Sequence, residues 1–72
     1  MAAELNLKME TNHEQVFFVQ TRLSEFGDLV HVTLRDGTDT TEAFLDSHEL
    51  DMLIALLSAA KAQLTQARRE EQ

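Results

Sequence analysis

His48 and Glu49 stand where a zinc-protease helix motif would begin, an imidazole to ligate a metal followed by a carboxylate to act as general base. That chemistry needs a second histidine four residues after the first, and Met52 occupies the position, so no metal site closes there. Glu10 and Glu14 flank one short turn, but paired acids beside a solvated loop seldom serve as a catalytic acid and base. His31 falls opposite Glu42 when the third and fourth predicted strands are paired, which reads as a cross-strand surface pair. Cysteine is absent, and no G-x-S-x-G, P-loop or G-x-G-x-x-G segment occurs, since both glycines sit singly in turns. The expectation is a protein that is not an enzyme, with no catalytic residue, no cofactor and no metal.

The residues that do group together are of the binding type: Lys8, Phe18, Arg22, Leu29, His31, Arg35 and Phe44. They meet only if the chain folds as an antiparallel sheet. Apolar and polar residues alternate over 4–10, residues 15–23 are rich in β-branched and aromatic side chains, and 28–35 alternates again. Asp36-Gly37 is a hairpin signal and returns the chain as a fourth strand over 38–45. Strands of this register pair Leu7 with Phe17, Leu5 with Val19, Val19 with Val32 and Val30 with Ala43. One face then carries Leu5, Leu7, Met9, Phe17, Val19, Val30, Val32, Leu34 and Ala43, and the other carries the basic and aromatic group.

A helix over 47–67 follows. Asp46 is its cap, Glu49 the capping-box partner three residues on, and Leu45 with Leu50 the two halves of a hydrophobic staple. Leu50, Leu53, Ile54, Leu57, Ala60 and Leu64 form one stripe, and Met52, Leu56 and Ala59 widen it to an apolar arc of roughly 220°, more than docking on one sheet requires. Residues 68–72 read as a frayed charged tail. The predicted fold class is α+β, a four-stranded antiparallel β-meander with one C-terminal amphipathic helix packed on the apolar sheet face, in a single domain over 1–72.

A net charge of −7 excludes a conventional duplex-DNA binder, which neutralises phosphates with clustered Lys and Arg. The first ten residues lack the basic start and apolar run of a signal peptide, and no apolar stretch approaches the roughly 20 residues of a membrane span, so a cytoplasmic protein is expected. A domain of this size buries only about 60% of its unfolded surface, and without cysteines or metal ligands the remaining means of stabilisation is oligomerisation.

Four strands and then a helix is an order similar to the small single-stranded-DNA-binding coactivator fold, whose dimers pair through their helices and bind with a curved sheet. The lysine-rich N-terminal segment and the glycine-led entry into the last strand are missing here, so the likeness is architectural and transfers no residues. The expected function is a small acidic homo-oligomeric binding protein, a dimer for preference. It would act on a protein partner, as accessory or inhibitory proteins of phage and mobile elements do. Met52, Leu56 and Ala59 are the candidate oligomer interface, with the Phe18, Leu29 and Phe44 sheet face as the other surface for self-association. The alternative is single-stranded nucleic acid or a nucleotide on the outer sheet face, bases stacking on the phenylalanines and phosphates meeting Lys8, Arg22 and Arg35.

Overall fold

The computed structural model describes residues 4–70, with side chains through Arg68. Four strands, β1 (Asn6–Glu10), β2 (Gln15–Arg22), β3 (Leu29–Asp36) and β4 (Asp39–Leu45), form one antiparallel sheet in the order β1-β2-β3-β4, and a single helix, α1 (Ser47–Glu70), follows. This is the α+β meander that the alternation predicts.

Each turn has a local cause. Between β1 and β2 the Thr11 amide donates to the Gln15 carbonyl at 2.8 Å, and the Thr11 hydroxyl accepts from the amides of His13 and Gln15, both at 3.2 Å. Glu14 closes that loop in the left-handed region, at φ +64°. Strand pairing is therefore Leu7 with Val19 and Met9 with Phe17, two residues away from the predicted Leu7 with Phe17. Between β3 and β4, Asp36 pairs with Asp39, and the two-residue loop is Gly37-Thr38 rather than Asp36-Gly37. Gly37 has φ +62° and Thr38 does not share it, the signature of a turn with glycine at its first central position. That again displaces the register by two: Val32 faces Ala43, Val30 faces Leu45, and His31 faces Phe44 rather than Glu42. The central pairing, Val19 with Val32 and Phe17 with Leu34, is as expected.

Because both displacements are even, neither turns a strand over. The apolar face still holds Leu5, Leu7, Met9, Phe17, Val19, Val30, Val32, Leu34 and Ala43, now joined by Leu45. The helix start is also as predicted: the Glu49 amide donates to Asp46 Oδ1 at 2.8 Å, and the Asp46 amide donates to Glu49 Oε1 at 3.0 Å. At its other end the helix continues to Glu70, past the frayed start expected at residue 68, where Arg68 suits the negative end of the helix dipole. The rest of that predicted tail, residues 71 and 72, lies outside the described residues, as do residues 1–3 of the predicted single domain.

The position of the helix departs from the expectation that it lies across Val19 and Val32. Its contacts with the sheet are sparse and concentrate on β4. Leu50 and Leu53, in the first two turns, are half-buried, and every later helical side chain described is exposed. The physical reason is the joint. A single residue, Asp46, separates β4 from α1, and the reciprocal cap hydrogen bonds hold it, leaving no slack for the helix to double back where strand-to-helix loops usually run 2–6 residues. The molecule is consequently long, 52 × 30 × 19 Å, with a radius of gyration of 15.4 Å. A compact chain of this length would have about 11 Å. Among the described residues none is buried, hydrophobic or polar.

Candidate functional site

Pairing places the outer face in four cross-strand rows: Arg22 with Leu29; Asn6, Gln20, His31 and Phe44; Lys8, Phe18, Thr33 and Glu42; and Glu10, Val16, Arg35 and Thr40. All seven residues of the predicted binding face therefore do share one surface. They are occupied largely with one another. The His31 ring stacks on Phe44 with centroids 4.4 Å apart and planes 10° from parallel, and the Arg35 guanidinium lies over the Phe18 ring, 5.1 Å from its centroid. Gln20 Nε2 donates to Asn6 Oδ1 at 2.7 Å, while Arg22 makes a long 3.5 Å contact to Gln20. Lys8 Nζ sits 3.2 Å from Glu10 Oε1, an exposed pair of the kind that contributes little stability but does neutralise the charge.

His31 is well enclosed, its side chain 12% exposed. Nε2 lies 3.2 Å from Glu42 Oε1 and 3.3 Å from Thr33 Oγ1. Glu42 is now a diagonal rather than a direct neighbour, but its side chain spans the difference. A carboxylate can only accept, so Nε2 carries a proton in this pairing, and Nδ1 is buried with no hydrogen-bond partner.

The remaining candidates for chemistry are accounted for locally. Glu49 is engaged in the cap, Glu14 is in the turn, Glu10 is paired with Lys8, and among the described residues no cluster of three or more His, Asp or Glu is placed to hold a metal ion. Among the described residues no helix is long and apolar enough to cross a membrane. A shallow concavity lined by Ser58, Lys61, Ala62, Thr65 and Gln66 lies along the helix alone.

The surfaces that stand open are the apolar ones. On the inner sheet face Leu5, Leu7 and Met9 are each more than half exposed, along the β1 edge of the face that the helix was expected to cover. On the helix the main stripe is as open as the flank: Leu57 is 62% and Leu64 69% exposed, alongside Leu56 at 67%. Met52, Leu56 and Ala59, the candidate interface, are exposed but form one edge of this larger area. Phe26, at the tip of the β2–β3 loop, is 98% exposed, and the sequence reading passed over it. Its loop is held by Ser24, whose hydroxyl donates to the Gly27 carbonyl at 2.8 Å, so the position is fixed by a turn that no periodicity would show. No protein-family model, curated protein or solved structure matches the chain.

Proposed function

We propose that the chain is a small acidic, non-enzymatic binding protein that works as a homo-oligomer through protein–protein contact, in an accessory or inhibitory role. One observation carries the reading: among the described residues no side chain is fully buried, so the fold has no interior of its own there. Its accessible surface is 6572 Å², where a compact protein of 8.2 kDa exposes about 4,500 Å². Its exposed large apolar side chains are mostly leucines, with Met9, Met52, Ile54, Phe26 and Phe44, more than a monomeric protein usually leaves in water.

The outer sheet face supports the protein reading over single-stranded nucleic acid. One side of the Phe44 ring is taken by His31 and one side of Phe18 by Arg35, while Lys8 is already paired with a carboxylate. A base stacking on those ring sides, or a phosphate on Lys8, would compete with these contacts, in a chain with net charge −7. Light scattering with mass determination tests the self-association, with a multiple of the single-chain mass expected. A labelled oligonucleotide titrated at low and moderate salt tests the alternative. Tight binding that weakens as salt rises and is lost in Arg22→Ala and Arg35→Ala would replace the protein reading.

A further inference from the structure

We infer that the occupant of the open inner sheet face is the helix of a second copy of this chain, each subunit laying its α1 stripe over the partner's Val19, Val32 and Ala43. This rests on the self-association proposed above and specifies its geometry. The two surfaces have the pattern of a sheet and the helix that covers it: a mostly apolar sheet face, half-buried along β2 and β3 and exposed along β1 and at Ala43, and an exposed stripe of Ile54, Leu57, Ala60 and Leu64 continuing past the half-buried Leu50 and Leu53. Within one chain they do not meet, because the one-residue joint at Asp46 directs the helix away. Between two chains nothing prevents it.

The dimensions agree. From Ile54 to Leu64 the stripe runs about 15 Å at 1.5 Å per residue. Four strands spaced about 4.8 Å apart present a face about 14 Å across, so the free part of one helix spans one sheet. The area agrees as well. Each chain exposes about 2,000 Å² beyond a compact monomer, so two copies have about 4,000 Å² to hide, within the range of obligate homodimers. A weak or incidental contact would need only a fraction of it.

The experiment uses the unmodified chain. After its mass is measured by light scattering, ¹³C-labelled and unlabelled protein are mixed, equilibrated and examined for intermolecular nuclear Overhauser effects between methyl groups. The expected result is a dimer mass with cross-peaks from Ile54, Leu57 or Leu64 of one chain to Val19, Val32 or Ala43 of the other. A dimer whose intermolecular cross-peaks run only helix to helix or sheet to sheet overturns this arrangement and leaves self-association standing. A single-chain mass overturns both.

Discussion

Leu57→Ala changes sign according to whether the apolar surplus is covered. In the single chain the Leu57 side chain is 62% exposed, on a stretch of helix whose described side chains are all exposed. Truncating it there removes little buried area and substitutes the best helix former, so stability should be unchanged or rise by a few tenths of a kcal/mol. Under a partner's sheet the same change deletes a core leucine and leaves a cavity, a loss of about 2–5 kcal/mol. A symmetric dimer contains the site twice, so at about 3 kcal/mol per site its dissociation constant should rise by roughly 10⁴-fold, one factor of ten for each 1.4 kcal/mol. Sedimentation equilibrium over a wide concentration range, with Ser58→Ala on the polar flank as control, reads this directly. The variant should sediment as one chain at concentrations where the parent and the control are dimeric. Unchanged mass and unchanged urea midpoint for Leu57→Ala would refute the claim that this stripe is the covered surface, and the same loss in Leu56→Ala alone would transfer it to the Met52, Leu56 and Ala59 flank.

Lys61→Glu should weaken association, because it places a carboxylate within the stripe that a partner's sheet would cover; an unchanged mass in sedimentation would count against that placement. Asp46→Ala removes one half of the capping box and should lower stability by about 1 kcal/mol with reduced far-ultraviolet helical signal, whereas an unchanged melt would show the first turn to be held by the Leu45–Leu50 staple alone. Gly37→Ala should destabilise by about 1 kcal/mol or more although a Cβ there meets nothing within 4 Å, because φ +62° alone disfavours a side chain. Diluting the protein should lower its melting temperature, since a fold completed between chains is stabilised by mass action; a melting temperature constant over a hundredfold dilution would contradict that linkage.

The faces of the sheet were more legible than its registers, and the reason is parity. Alternation along each strand states which residues share a side, and that survives any even slip, as it does in the first and last hairpins. The register itself depends on which residues enter the turn. Asp36-Gly37 reads as the loop because both residues are turn formers, but in the structure Asp36 belongs to the ladder and Thr38 takes the second loop position. Glu14 offers no hint at all of its left-handed conformation, which is stabilised by the Thr11 hydroxyl binding the amides around it. The capping box was legible to the residue because it is a contact between neighbours in sequence. His31 against Phe44 was not, since it follows from the misread turn.

The placement of the helix exposes a different limit. Hydrophobic pattern tells how much surface must leave water and on which side of each element it lies, but carries no information on whether the cover comes from the same chain. Here the decisive feature is short-range: one residue between Leu45 and Ser47, fixed by two hydrogen bonds, sets the exit direction of a helix about 36 Å long. A sheet with one bare apolar face is not expected to persist alone in water, and a helix with an apolar stripe is no better placed. Both elements become stable in the same step if the stripe of one chain meets the face of another. In the proposed dimer the length of the joint would make folding and association a single event, and lengthening it by a flexible loop of several residues would be expected to let each helix fall back on its own sheet.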